Sequence, residues 1–172
     1  MYRFRYLAIT TCLCSLLIAF NANNPVAADE ANNSMATLRS GNSSELVKRY
    51  SDEQVKNMLS QAGYDTVRVI DDGKVRFKSS GQIYVIYIHP DGDMHVYFGS
   101  SGLQLSFEDV NEWNRTTRLS RAYLDDESDI ALETDLLSNA GINQEMVLQM
   151  VKVFVKTSVP RFILFAKTNG HY

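Results

Sequence analysis

The sequence predicts an α+β domain in which helices pack on one antiparallel sheet. Three observations predict it: capped amphipathic segments, short alternating apolar segments separated by tight-turn pairs, and one long apolar segment near the C-terminus. The expected order is helix, antiparallel β meander, helix, β hairpin and a C-terminal helix packed on the sheet. With 172 residues, 45% apolar and 22% charged, the composition is that of one folded domain.

Residues 1–28 have the pattern of a secretory signal peptide. Arg3 and Arg5 precede an apolar run from Leu7 to Phe20, and Val26-Ala27-Ala28 is a small-residue cleavage site. A run of about 14 residues is shorter than the roughly 20 that a spanning helix needs, so a retained anchor is the less favoured alternative. We therefore expect an exported protein, periplasmic or secreted, with no stable membrane span after signal cleavage.

Cleavage changes the charge and the cysteine content of the chain. Cys12 and Cys14 leave with the signal peptide, which excludes thiol catalysis, redox motifs and cysteine metal sites in the mature protein. The net charge falls from −3 to −5, because residues 1–28 contain two arginines and no acidic residue. An acidic chain repels phosphate backbones, so no nucleic-acid partner is expected. Residues 29–44, rich in Asn, Ser and Ala, are expected to form a flexible leader before a domain at 45–172.

The first helix and the meander are predicted from caps and turns. Ser51 and Gln54 form a capping box before an apolar stripe that ends at Gly63. Four strands then follow, with connections too short for crossover helices: Thr66 to Ile70, Val75 to Lys78, Gln82 to Ile88, and Met94 to Phe98. The third strand is apolar on both faces, which predicts a central strand covered by helices on one side and by other material, such as a second subunit, on the other.

A second helix begins near Phe107, where Ser106 and Asp109 form another capping box. Helical spacing places Trp113 on the packed side. Arg121 to Leu124 and Ile130 to Asp135 then alternate around an acidic turn, which is the signature of a hairpin.

This stretch resembles the YbjN family. The matching residues, in consecutive order, are Val110-Asn111, Trp113-Asn114, Arg118, Ala122-Tyr123, Asp125-Asp126, Leu132-Glu133 and Asp135. The resemblance covers roughly residues 46–167. The chain departs from the family at Ser128, where a glycine is common in the acidic turn. The resemblance therefore does not predict the geometry of that turn.

The resemblance implies a fold similar to that of type III secretion chaperones, which bind extended partner segments, commonly as dimers. It implies no known active site and no cofactor, and the family label, sensory transduction regulator, defines no mechanism. The family-motif positions are expected to have structural or partner-binding roles: Asn111, Trp113, Asn114, Arg118, Tyr123, Asp125, Glu133 and Asp135.

Two clusters contain metal-ligating residue types. His89 and His95 flank a turn containing two aspartates, but separate strands and a Pro-Asp-Gly turn argue against a metal site. The acidic turn of residues 125–129 lacks the ligand spacing of a hand-type calcium site. Glu112, Glu133 and Asp135 would pair as acid and base only through tertiary approach, although Glu133 and Asp135 share a strand face. We therefore predict no catalytic, metal or cofactor-binding residue.

The C-terminal helix, capped by Asn143, is too apolar for one buried face. Pro160 is expected to kink or stop it. Of its two apolar stripes, one is left either for a homodimer partner or for Phe162 to Phe165 folding back over it.

The function expected from the sequence is that of an exported, non-enzymatic protein-binding module of the YbjN type, chaperone-like or regulatory, with an unidentified protein or peptide partner. Two alternatives remain open. One is a metal-dependent hydrolase using the His89–His95 turn with Glu133 or Asp135. The other is a structural subunit of an envelope assembly.

We predict that the mature protein begins near Asp29. The reason is the order of a basic start, a short apolar run and a small-residue cleavage site. N-terminal sequencing of the protein from fractionated source cells measures the start directly. Membrane-bound protein that retains Met1 would contradict this prediction.

Overall fold

The computed structural model describes residues 45–170, which all belong to one compact unit. The predicted signal peptide and leader lie outside the described residues. The order of elements confirms the predicted α+β fold. The helices and strands are α1 (Asp52–Gln61), β1 (Asp65–Asp71), β2 (Lys74–Ser79), β3 (Gln82–Ile88), β4 (Met94–Ser100), α2 (Phe107–Thr116), β5 (Arg121–Leu124), β6 (Ile130–Leu136), α3 (Gln144–Val153), a π-helical segment (Phe154–Ser158) and α4 (Val159–Asn169).

The six strands of the described residues form one antiparallel sheet in the order β1-β2-β3-β4-β6-β5. Strands β1 to β4 follow one another as the predicted meander. The segment that contains α2 then leads to β5 at the far edge, and β6 returns beside β4. β3 and β4 are therefore the central strands, which confirms the prediction for Ile83 to Ile88.

The two faces of the sheet differ because α1 to α4 contribute to the hydrophobic core on one of them. On β3, Tyr84, Ile86 and Ile88 point into that core, whereas Ile83, on the other face, keeps 43% of its surface exposed. We call this second side the open face, formed by strand residues that alternate with the buried ones. The described residues leave it uncovered, and the expected second cover stays a prediction.

Both predicted capping boxes are present. The Ser51 hydroxyl accepts a hydrogen bond from the Gln54 N–H at 3.3 Å, and the Gln54 side chain accepts one from the Ser51 N–H at 2.8 Å. Ser106 and Asp109 make the same exchange at 3.2 and 2.9 Å. Each box satisfies amides that the first helical turn leaves without partners, and this fixes where α1 and α2 begin.

The C-terminal helix is not stopped at Pro160. Helix α3 passes into a π-helical segment, in which the Val159 N–H bonds to the Phe154 carbonyl, and α4 starts at once with the proline in its first turn. Proline lacks an N–H and tends to clash with the preceding turn of a helix, so a wider turn just before it accommodates the ring.

This continuous path decides which apolar stripe is buried. Val147, Val151 and Phe154 are fully buried, whereas Met146 keeps 39% exposure. Phe162 does not fold back over α3, because its ring packs against Trp113 of α2 instead, with ring centroids 5.0 Å apart. The fold-back alternative is therefore wrong.

Trp113 is a core residue, as predicted. It is 2% exposed, and its indole also lies edge-on to Phe165 with ring centroids 5.4 Å apart. Its Nε1–H has no hydrogen-bond acceptor among the described residues. The indole thus stabilises the fold through its apolar area and ring contacts, and it links α2 to α4.

We predict that Trp113→Ala lowers the free energy of unfolding by about 3 to 5 kcal/mol, the usual range for removing a large buried aromatic side chain. Urea unfolding followed by circular dichroism measures the change. Phe107→Ala is the matched control, because Phe107 is on the same helix but 75% exposed, and its effect should stay within about 0.5 kcal/mol. A loss below about 1 kcal/mol for Trp113→Ala would contradict the assigned role.

Candidate functional site

Strand pairing places two rows of side chains across the open face. One row runs from β1 to β5 through Arg68, Arg76, Val85, Tyr97, Glu133 and Arg121. The neighbouring row runs through Asp71, Lys74, Tyr87, His95 and Asp135. The open face therefore changes from basic on β1 and β2, through apolar and aromatic on β3 and β4, to mixed charge on β6 and β5.

Glu133 is the centre of a hydrogen-bond network at the mixed end. It is only 6% exposed. Its Oε1 accepts a hydrogen bond from the Tyr123 hydroxyl at 2.5 Å, and its Oε2 accepts from Arg121 Nη2 at 2.8 Å and Nε at 3.2 Å. These bonds satisfy a buried carboxylate and join β5 to β6 through side chains as well as backbone.

The network keeps its members in fixed protonation states. Burial raises the pKa of Glu133, but the hydrogen bonds from Tyr123 and Arg121 and the nearby His95 outweigh it and hold that pKa below its ordinary value. Burial and the bond to Glu133 raise the pKa of Tyr123. Glu133 is thus a stable anion and Tyr123 a stable donor near neutral pH, an arrangement that holds charge in place rather than transferring protons.

His89 and His95 contact each other on the open face. His89 Nε2 lies 2.9 Å from His95 Nδ1, and the His95 ring stacks on Tyr87 with centroids 4.4 Å apart. Burial lowers the pKa of His95. Glu133 opposes this shift, and His89 adds to it. His95 is therefore neutral near neutral pH, with His89 as its hydrogen-bond partner.

The structure does bring His95 beside Glu133 and Asp135, as the hydrolase alternative requires, but it does not assemble a ligand set. The carboxylates of the turn are bonded to backbone: Asp91 accepts from the Asp93 N–H at 3.1 Å, and Asp93 accepts from the Ser138 N–H at 2.7 Å. Within residues 45–170, no group of three or more His, Cys, Asp or Glu side chains is arranged to hold a metal ion.

The acidic turn is held by its first residue. Asp125 Oδ1 accepts hydrogen bonds from the Glu127 N–H at 3.1 Å and the Asp129 N–H at 2.8 Å. Ser128 has a φ of 64°, in the left-handed region that glycine adopts at least cost. The turn thus has the geometry expected for a glycine at this position, and in this chain the serine adopts it.

Asn114 protects an edge of the sheet. Its Nδ2 donates to the Ala122 carbonyl at 2.9 Å, and its Oδ1 accepts from the Ala122 N–H at 2.8 Å. Both backbone groups are on the outer side of edge strand β5, so the amide replaces the pairing of a further strand. Exposed edges are sites of unwanted strand pairing, and this contact blocks one of them.

The other family-motif positions do not converge on one site. Tyr123, Glu133 and Asp135 lie on the open face, whereas Asn111 and Arg118 are exposed and make no side-chain hydrogen bond within the described residues. Their partner-binding roles stay a prediction.

Arg121 is the functional candidate that sequence reasoning missed. The signal was present, because Arg121 and Tyr123 are two residues apart on one strand and therefore share a face. Pairing across the acidic turn places Arg121 opposite Glu133, and the neighbouring strand places His95 opposite Asp135.

Fold and site together define a small α+β domain with one helix-covered and one open sheet face. The sequence profile of the YbjN family, described as a "putative bacterial sensory transduction regulator", matches residues 51–159. The chain belongs to the YbjN family. That description is one of a regulator and not of an enzyme.

Among solved structures, the chain is similar to the crystal structure of YbjN from E. coli, which is described as "a putative transcription regulator". The two share 13% sequence identity with a TM-score of 0.51, over 71% of this chain and 92% of that chain. No curated protein sequence matches the chain. At this identity the structural match shows the fold.

We predict that stability falls as pH falls from about 7 to about 5 because of His95. Its folded pKa lies below the ordinary value of 6.5, so the unfolded chain binds this proton at a higher pH than the folded chain does. The free energy of unfolding therefore falls by no more than about 1.4 kcal/mol per pH unit. His95→Gln should remove that part of the slope, measured by urea unfolding across this range. Protonation of Glu133 lowers the free energy of unfolding only when the pH falls below the ordinary pKa of this group, 4.5. An unchanged slope in His95→Gln would contradict the prediction.

Proposed function

We propose that the protein is an exported, non-enzymatic regulator that acts by binding a protein partner on the open face of its sheet. The observation that carries this proposal is the contrast between the two faces of β3 and β4. Side chains on one face are buried by the helices, whereas Ile83 on the other is 43% exposed and Val85, Tyr87 and Tyr97 are half-buried.

An uncovered face with aliphatic and aromatic side chains is suited to binding. Tyrosines contribute large contact area with few rotatable bonds, and exposed apolar side chains gain free energy when a partner removes them from water. The face is also rigid, because it consists of paired strands whose opposite sides are packed in the core. A preformed surface loses little conformational entropy when a partner docks.

The network around Glu133 supports a binding role in preference to catalysis. Tyr123 and Arg121 are bonded to the carboxylate, and neither Glu133 nor Tyr123 has a pKa shifted toward neutral pH. A general acid or base works best with a pKa near the operating pH. The network instead holds β5 and β6 in register at the border of the proposed docking surface.

Export is the second part of the proposal and is supported by the sequence of residues 1–28. No helix within residues 45–170 is both long and apolar enough to cross a bilayer. A regulator outside the cytoplasm would meet proteins rather than DNA, and the acidic net charge disfavours DNA as well. The role in transcription ascribed to E. coli YbjN is therefore not extended to this chain.

We predict that a photo-crosslinker on the open face captures a partner in the cell envelope. The crosslinking amino acid p-benzoylphenylalanine replaces Tyr97 in the full chain, produced in the source cells, and illuminated samples are separated on denaturing gels. The expected result is a discrete adduct of higher mass, because Tyr97 lies at the centre of the open face.

The matched control carries the same crosslinker at Phe107, which is exposed on helix α2. It should give no corresponding adduct. Equal adducts from Tyr97 and Phe107 would contradict the proposed binding face. The absence of an adduct both from Tyr97 and from a second open-face position, Ile83, would contradict it as well.

A further inference from the structure

We propose that the partner's docking segment is acidic, with carboxylates beside apolar side chains, and that it lies on the β1–β3 part of the open face. This inference rests on the proposed function and specifies the chemistry of the partner.

Two unpaired arginines carry the inference. Arg68 and Arg76 are directly opposite each other on β1 and β2, and within residues 45–170 neither guanidinium has a carboxylate at ion-pair distance. Like charges opposite each other destabilise a sheet. The neighbouring Lys74, by contrast, is paired with Asp71 at 2.9 Å. The arginines thus form a site of uncompensated positive charge on a chain whose net charge is negative.

Apolar side chains lie next to these charges. Val85 of β3 is opposite Arg76, and Ile83 is opposite Lys78. On the other side of Lys78, β1 contributes Asp65, whose carboxylate is not within ion-pair distance of it. A segment that places carboxylates over the basic side chains and aliphatic or aromatic groups over Ile83 and Val85 satisfies both features at once.

The rest of the open face favours a protein over other polyanions. Glu133 and Asp135 lie on β6, in the same rows as Arg76 and Lys74, and they repel an extended array of phosphates. Binding to an anionic membrane takes clusters of roughly four to eight basic residues. This patch has four, Arg68, Lys74, Arg76 and Lys78, of which Lys74 is paired with Asp71 and Lys78 lies opposite Asp65, so it is at the lower end of that range. A protein segment can instead place its acidic residues at one end only.

A second copy of the chain fits the charges less well. If two copies packed face to face about a two-fold axis that runs across the strands, β1 would lie over β1 and the basic strands would meet. An axis parallel to the strands would place each β1 over the other chain's β5, because the strand order is β1-β2-β3-β4-β6-β5. Arg68 would then face Arg121. A two-fold interface must be complementary to itself, and this pairing opposes like charges.

The test selects a phage-displayed library of random peptides against the purified full-length protein and measures the affinity of the enriched peptides by fluorescence anisotropy. We expect peptides that combine Asp or Glu with aliphatic or aromatic residues, and affinities that fall in high salt. Arg68→Gln/Arg76→Gln and Arg68→Glu/Arg76→Glu should each weaken binding by about tenfold or more. The matched control, Lys152→Glu/Lys167→Glu, changes two exposed charges on α3 and α4 and should leave the affinity unchanged.

The outcomes separate this inference from the proposed function. The enriched peptides could instead be neutral or basic, and their binding could be lost in Ile83→Ser but kept in the arginine variants. That result would overturn the acidic partner and leave the open face as the binding site. Peptides that depend on neither would overturn both. Sedimentation with phosphatidylserine vesicles that requires Arg76 would assign the patch to membranes. A dimer in light scattering that Arg68→Glu/Arg76→Glu dissociates would assign it to a second copy.

Discussion

The structure depends on the packing of the helices of residues 45–170 against one side of a six-stranded sheet. Because successive side chains of a strand point to opposite faces, this one-sided cover divides each strand into core residues and residues left for another purpose. On β3 the division separates Tyr84 and Ile86 from Ile83 and Val85, although all four are apolar. The sheet therefore needs its inner residues for stability and leaves its outer ones free of that requirement.

A sheet with one open face must avoid unwanted strand pairing at its edges and hold its strands in one register. At one edge, Asn114 satisfies the outward backbone groups of β5, and at the border of the open face Glu133 is held by Tyr123 and Arg121. Both devices use polar side chains whose hydrogen bonds have fixed geometry, which favours a single register. Family-motif residues contribute to both, so the motif describes the architecture of the second half of the domain more than a reaction centre.

Local signals predicted most of the fold. Ser51 and Ser106 marked two helix starts, the turn glycines separated the strands of the meander, and periodicity placed Trp113 in the core. The strand order was not predicted, because nothing local to β6 says that it pairs with β4. The approach of His95 to Asp135 depends on that non-local pairing, whereas the contact between His89 and His95 is made within the hairpin of β3 and β4. Sequence reasoning named several residues of the open face but missed Arg121. Its position on the same strand face as Tyr123 was readable from the sequence, but its pairing with Glu133 follows from the register of the hairpin.

The π-helical segment before Pro160 also sets the rotational phase of the last helix. Each residue of an α-helix advances the direction of its side chains by about 100°. The wider turn at Phe154–Ser158 holds one extra residue in the helical path, so everything after it is rotated relative to an uninterrupted helix. Phe162 and Ala166 reach the core in this phase, and Leu164 faces outward. Loss of a single residue from this segment would leave the composition of α4 intact and turn its apolar side away from Trp113.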